Sequence, residues 1–317
     1  MMRRDFLRTS SFTMLAVAAG SALGNSAPLH IGSAWYRQKR RFVDLPMARV
    51  AYVELGHGPA ALFIHGYPLN GYQWRGALER LHSYRRCIAP DMMSLGYTEV
   101  PAGQRITSQF QVEMLAAFLD KLKVRDVDLV GNDSGGLVSQ LFLAKYPQRV
   151  RSLLLTNCDV DENNPPTRVL PLIDLAKKGL FAEKVIVPQL ADKTQARSLQ
   201  GLGSVFSYPE RLQDETIDTY FRPVVASSTR MSQLNEYLVA LGTNDLVAVR
   251  KDLQAWKGAA RLVWGVKDPI FGVQWAEWLD RTLSNSRGIR RIPDAKLFFP
   301  EEMPDIIAEE AKQLWNA

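Results

Sequence analysis

The stretch Leu129–Gly136, LVGNDSGG, sets two possible nucleophiles side by side, the carboxylate of Asp133 and the hydroxyl of Ser134. Either could attack carbon and split one difficult displacement into two easier steps through a covalent intermediate. The run before the pair, DVDLVGN, is apolar and strand-like. After it, Leu137, Gln140, Leu141 and Ala144 recur at helical spacing until Pro147 stops the pattern. A nucleophile at such a strand-turn-helix junction occupies a strained turn, so the residues two before and two after it must be small enough for strand and helix to approach closely. Centred on Asp133 those positions are Gly131 and Gly135; centred on Ser134 they are Asn132 and Gly136. The glycine spacing favours Asp133 and leaves Ser134 as a backbone donor.

The elements that must position this pair follow from the hydrophobic pattern. Short apolar runs at RRFVDL, RVAYVEL, ALFIHG, RCIAPD, DVDLVGN and VRSLLLTN read as strands, the first two joined by a turn at Pro46. Helices are expected over Trp74–His82, Phe110–Leu122 and Leu137–Tyr146. From Val160 to Leu246 the strand pattern gives way to helix-like segments (LPLIDLAKKGLF, DETIDTYFRPVVA, MSQLNEYLVAL) after the loop signature ENNPP. It resumes with AARLVWGVKD, a helix at VQWAEWLDRTL, a short strand near GIRRIP and a last helix at PDIIAEEAKQLW. The expected class is therefore α/β, a mostly parallel eight-stranded sheet flanked by helices, with residues 35–159 and 247–317 as the core and 160–246 as a helical cap inserted after the sixth strand. GNDSGG is similar to the GDSGG around the serine of chymotrypsin-like proteases, but those enzymes are all-β and the strand-helix context here excludes them.

Several segments in this order resemble the α/β-hydrolase fold, and within it the branch of haloalkane dehalogenases and epoxide hydrolases. His65-Gly66-Tyr67-Pro68 followed by Trp74-Arg75 resembles that branch's HG-x-P…WR segment, and Ala89-Pro90-Asp91 its APD turn. Gly131–Gly136 is similar to its aspartate elbow, and Trp264–Asp268 (WGVKD) to the strand end that carries its acid. The resemblance implies a hydrolase without cofactor or metal, acting on a small apolar substrate. Asp133 would attack carbon, and the backbone N–H groups of Tyr67 and Ser134 would hold the oxyanion formed when the resulting ester is hydrolysed. Asp268 would orient a water-activating histidine, with Asp159 of TNCD as a substitute. Trp74, Tyr220 and Tyr237 are candidate pocket residues. The two tyrosines are of the type that protonates an epoxide oxygen, and the Tyr67 hydroxyl is a further group that a leaving atom could use.

Two departures stand out. The four histidines, His30, His57, His65 and His82, all precede the elbow, whereas the family's histidine follows the acid. Matching FPEEMP to the family's C-terminal segment puts Leu297 at that position, with Lys296 beside it. Ser134 and Tyr67 also stand where dehalogenases of this branch often carry Trp and Asn to hold halide. An aspartate without its histidine implies slow ester hydrolysis, since a general base is typically worth about 10²- to 10⁴-fold. A hydrolase-fold protein that binds a small molecule without turning it over is the alternative, and lyase or isomerase chemistry on the same fold comes after it.

Composition bounds the rest. In 317 residues, 46% hydrophobic and 23% charged, neither disorder nor a membrane bundle is suggested. The net charge of +6 is not concentrated on one segment; its densest run, Arg37–Arg41 (RQKRR), is short, and nucleic-acid binding is not expected. Cys87 and Cys158 lie in apolar runs, too few for a disulfide framework and without metal-site spacing. At the N-terminus three arginines precede an uncharged apolar run ending in small residues, the layout of a leader over 1–27. Its Arg3-Arg4-x-Phe6-Leu7 spacing resembles a twin-arginine export signal, which implies a periplasmic protein. The run from Ser10 to Gly24 is shorter than the about 20 residues of a bilayer span, so no lasting membrane anchor is expected.

Overall fold

The apolar runs AALFI, VDLVGND and VRSLLLTNC are buried along almost their whole length. That is the pattern of parallel strands covered by helices on both faces. They form the centre of an eight-stranded sheet in the computed structural model, which describes residues 30–317; the expected leader at 1–27 lies outside the described residues. The strands are β1 (Arg41–Leu45), β2 (Ala48–Leu55), β3 (Ala60–Ile64), β4 (Arg86–Pro90), β5 (Val127–Asp133), β6 (Val150–Cys158), β7 (Ala259–Gly265) and β8 (Ser286–Ile292). Their order across the sheet is β1-β2-β4-β3-β5-β6-β7-β8. Only β2 runs against its neighbours; β3 through β8 are mutually parallel. The edge strands β1 and β8 are short and partly exposed, and β8 carries three arginines, features that discourage pairing with other chains.

The helices that cover the sheet are α1 (Ser33–Lys39), α2 (Arg75–Leu81), α3 (Ser108–Lys121) and α4 (Ser134–Lys145) before β6, and α11 (Val273–Thr282), α12 (Phe299–Glu302) and α13 (Pro304–Trp315) after β7. Between β6 and β7 the chain is helical: α5 (Leu170–Lys177), α6 (Val187–Ala191), α7 (Lys193–Arg197), α8 (Asp214–Val224), α9 (Ser228–Ala240) and α10 (Arg250–Ala255). Several of these are too short to leave a periodic trace, and α6, α7 and α10 were not expected from the sequence. Helix α1 was also unforeseen: RQKRR is its last turn and the start of β1, with Arg37 and Lys39 placed where cations favour a helix C-terminus.

Helix α4 begins at Ser134, three residues earlier than the apolar periodicity indicates. Glycine has low helix propensity, and the pair Gly135-Gly136 hid this first turn. Close approach explains their presence. A Cβ on Gly135 would lie 2.3 Å from the Ile64 carbonyl oxygen and 2.6 Å from that of His65, and one on Gly131 would lie 2.5 Å from Ser139 Oγ and 2.9 Å from the Gly135 carbonyl. The neighbours of Gly135 are backbone atoms that cannot step aside. Gly135→Ala should therefore lose about 3 kcal/mol of stability, at the upper end of overpacking costs, in urea unfolding; a midpoint equal to that of the parent would show that α4 and β3 have room to part.

Candidate active site

In an open parallel sheet, ligands bind where the carboxyl ends of the strands leave a crevice. Tyr67 after β3, Asp133 ending β5, Asp159 after β6, Asp268 after β7 and Leu297 after β8 all follow the carboxyl ends of their strands. Five separate chain segments are thus brought together by strand direction alone.

Asp133 has φ 54° and ψ −132°, a left-handed backbone conformation that an L-residue with a Cβ adopts only under constraint. Its carboxylate Oδ2 accepts the backbone N–H of Tyr67 at 2.8 Å. The backbone N–H of Ser134 also hydrogen-bonds this carboxylate. The two donors expected to hold an oxyanion therefore already hold the carboxylate of Asp133, which orients the group. Burial pushes the Asp133 pKa well above the usual carboxylate range, the charges of Asp159 and Asp268 push it the same way, and the two N–H groups oppose them.

The turn is fixed from beneath by Asn132, which is fully buried. Its Oδ1 accepts Gln73 Nε2 at 2.6 Å, while Gln73 Oε1 accepts the Gly66 N–H at 2.9 Å, so the His65-Gly66 turn is tied to the elbow. On its other side, Asn132 Nδ2 is 2.8 Å from Thr156 Oγ1 and 3.1 Å from the carbonyl oxygens of both Asn157 and Leu297. One amide thus links the ends of β5 and β6 with the segment after β8.

Asp268 is buried; its Oδ1 accepts the Ile270 N–H at 2.9 Å, whereas its Oδ2 is enclosed with no hydrogen-bond partner among the described residues. Burial raises its pKa to about 7, against the pull of the Ile270 and Phe271 N–H groups, the Asn157 side chain and the more distant Arg168 guanidinium. Asp159 is also raised to about 7 by burial, opposed by a hydrogen bond from Asn164 Nδ2 to its Oδ1 at 3.3 Å. Asp133, Asp159 and Asp268 thus all resist ionisation, the first two in the cavity wall and Asp268 enclosed behind it.

No histidine lines the cavity above them among the described residues. His65 is buried with both ring nitrogens engaged. Its Nε2 must accept the Met92 N–H at 2.9 Å, which puts the ring proton on Nδ1, 3.0 Å from the Gly66 carbonyl. Burial keeps this imidazole neutral. His57 lies in the turn before β3 and His82 at the end of α2 leading into β4, at the opposite end of the sheet from Asp133. The seven residues of β5 separate the two ends by about 20 Å. Leu297 does line the cavity, next to Phe298, and Lys296 does not.

The cavity holds about 200 Å³, below the ~300 Å³ at which pockets for drug-sized ligands begin, and its wall is largely apolar. Tyr67, Asp133, Ser134 and Asp159 form the polar part at its base, and Gln189 and Ser204 add polar groups from the segment after β6. Phe181, Ile186, Leu202, Val205 and Leu238, from the helical segment after β6, close the apolar part, and Arg168 is its one cationic lining residue. Those apolar positions escaped the sequence reading because amphipathic spacing does not say which neighbour a helix face meets. The expected pocket residues Trp74, Tyr220 and Tyr237 are not in the wall. Trp74 packs in the core with its ring 5.6 Å from that of Phe63. Tyr220 donates its hydroxyl to Glu301 Oε2 at 2.6 Å, and Glu301 also pairs with Arg75 at 2.8 Å. Tyr237 hydrogen-bonds through its side chain with Ser134 and Gln111 and stacks edge-on against Tyr67 at 5.9 Å. The Tyr67 hydroxyl is occupied as well, donating to the Leu234 carbonyl at 3.1 Å.

The raised carboxyls have a consequence for stability. A carboxyl near 3.9 in the unfolded chain and about 7 in the fold binds more protons when folded, so its contribution is intact below pH 4 and is lost as pH rises to 7. Three units correspond to about 4 kcal/mol at most. Asp268→Asn should raise Tm by roughly 5 °C at pH 8 and by little at pH 4; an equal change at both values, in calorimetric scans, would contradict the buried, protonated state.

The comparisons with known proteins agree with this architecture. Residues 59–302 match the family described as alpha/beta hydrolase fold. Haloalkane dehalogenase 2 of Mycobacterium tuberculosis is 24% identical over 278 residues, covering 86% of this chain and 93% of that protein. Epoxide hydrolase 2 of Siraitia grosvenorii is 39% identical over 102 residues, 32% of each chain. Among solved structures, that of a reconstructed ancestral haloalkane dehalogenase superposes with a TM-score of 0.71 at 22% identity, covering 87% of this chain and 100% of the other. The chain is a member of the α/β-hydrolase fold family, related at low identity to haloalkane dehalogenases and epoxide hydrolases.

Proposed function

We propose that the protein hydrolyses a small apolar molecule bearing an electrophilic carbon, a halogenated alkane or an epoxide, with Asp133 as the attacking group. One observation carries this reading: Asp133 stands on a strained turn at the base of an apolar cavity, with one carboxylate oxygen held by the Tyr67 N–H at 2.8 Å. With Oδ2 held, Oδ1 is the oxygen left to attack carbon. A new C–O bond forms, the bond to halide or epoxide oxygen breaks, and an ester of Asp133 results. The Tyr67 and Ser134 N–H groups would then stabilise the oxyanion when water adds to that ester. On this reading residues 160–246 act as the cap that keeps bulk water out, and residues 1–27 direct export.

Incubation with 1-bromohexane, styrene oxide and related halides and epoxides, followed by intact-mass and peptide analysis, should give product or an adduct on the Asp133 peptide. Asp133→Ala should abolish both; neither turnover nor adduct across the panel would remove the proposal. Because attack needs ionised Asp133 and burial raises its pKa, the rate of adduct formation should still be rising with pH above the range in which an ordinary carboxylate is fully ionised. A rate already level by pH 5 would indicate an exposed, ordinary carboxylate.

A second reading, binding without turnover, is favoured by Leu297 in the cavity wall and by the unpartnered Oδ2 of Asp268. Both fit a proton relay that has lost its imidazole. Leu297→His should then raise ester hydrolysis by about 10²-fold or more. Unchanged hydrolysis in Leu297→His would show that the missing imidazole is not what limits the parent, and activity that survives Asp133→Ala would exclude the aspartate mechanism.

A further inference from the structure

Hydrolysis of an Asp133 ester needs a group to take a proton from the attacking water, and no imidazole lines the cavity among the described residues. Lys296 does not reach the wall, and Tyr67 and Tyr237 have their hydroxyls committed to Leu234 and to Ser134 and Gln111. Besides Asp133 itself, the wall carries one other carboxyl group among the described residues, Asp159, alongside the Tyr67 phenol and the Arg168 guanidinium, which offers donors and no acceptor. Asp159 is set at the carboxyl end of β6, next to the strand that carries Asp133, with Oδ1 anchored by Asn164 Nδ2 at 3.3 Å and its backbone carbonyl by Gln140 Nε2 at 2.8 Å.

We propose that Asp159 is the proton acceptor for the water that cleaves the Asp133 ester, standing in for the absent histidine. This rests on the reading of Asp133 as the attacking group. Water oxygen bonds to the ester carbonyl carbon while its proton passes to the Asp159 carboxylate. The tetrahedral oxyanion, held by the Tyr67 and Ser134 N–H groups, collapses, and the bond to the alkyl oxygen breaks. That oxygen leaves as the alcohol, taking the proton back from Asp159.

Electrostatics supports the timing. Asp133 feels the charge of Asp159, and in the ester Asp133 carries no charge, so no repulsion from it opposes ionisation of Asp159 at the stage that needs a base. The other titratable groups that feel Asp159 are Cys158 and Tyr237, both held neutral by burial; Asp268, itself protonated up to about pH 7, and Arg168 lie beside the same cavity. Asp268, whose free oxygen is enclosed and which is not in the wall, has no path to the water.

The test is the decay of the adduct formed from 1-bromohexane in full-length protein, followed by intact mass from pH 5 to 9. In the parent, decay should accelerate with pH and level off near neutrality. Asp159→Asn should still form the adduct but lose it about 100-fold more slowly, without that inflection, and Asp159→Asn/Leu297→His should recover the decay. An Asp159→Asn adduct that decays like the parent's would overturn the assignment while leaving Asp133 as nucleophile. Equal slowing in Asp268→Asn would overturn it in favour of that residue, and no adduct on Asp133 in any variant would remove the underlying reading as well.

Discussion

The buried amide of Asn132 is the interaction on which the site depends. It accepts from Gln73 and faces acceptors on Thr156, Asn157 and Leu297, so four segments at the carboxyl edge of the sheet converge on one side chain. The next residue, Asp133, is held in a backbone conformation that costs of order 1–3 kcal/mol, and only a surrounding structure with no freedom to relax sustains it. Asn132 supplies that rigidity because relaxing the turn would break hydrogen bonds to several buried polar groups at once. Strand direction explains why chemistry gathers at this edge; the amide network explains why it is positioned.

The electrostatics of the site follow from what stands opposite the acids. Asp133, Asp159 and Asp268 are all raised by burial, and Leu297, an apolar residue, occupies the wall where an imidazole would share their protons. Among the described residues Arg168 is the one cation in the cavity wall, and neutral pH leaves the carboxyl groups only partly ionised. The formation and the cleavage of an ester therefore compete for the same small number of negative charges, and each becomes easier as pH rises.

Much of this was legible in the sequence, and the reasons are specific. The spacing Gly131–Asp133–Gly135 could be read because close contact between β5, α4 and β3 tolerates nothing larger at those two glycines. The sheet could be read because buried parallel strands are apolar throughout. What could not be read has equally physical grounds. Trp74, Tyr220 and Tyr237 are aromatic and stand in the right intervals, yet packing and hydrogen bonds to Glu301, Ser134 and Gln111 turn them away from the cavity. Phe181, Ile186 and Leu202 enter the wall from short helices whose facing no local pattern specifies. The absence of a histidine after β7 was plain, but that Asp159 shares the wall with Asp133 emerged only from the fold.

The central claim, that Asp133 carries the substrate as an ester, is tested most directly by a single turnover of 1-bromohexane or styrene oxide in H₂¹⁸O with protein in excess. Water that attacks the ester carbonyl leaves its oxygen in the carboxyl group, so the label should appear in the Asp133 peptide while the first product carries ordinary oxygen. Label in the product, with the Asp133 peptide unlabelled, would mean that water attacks the substrate directly and that Asp133 is not a nucleophile.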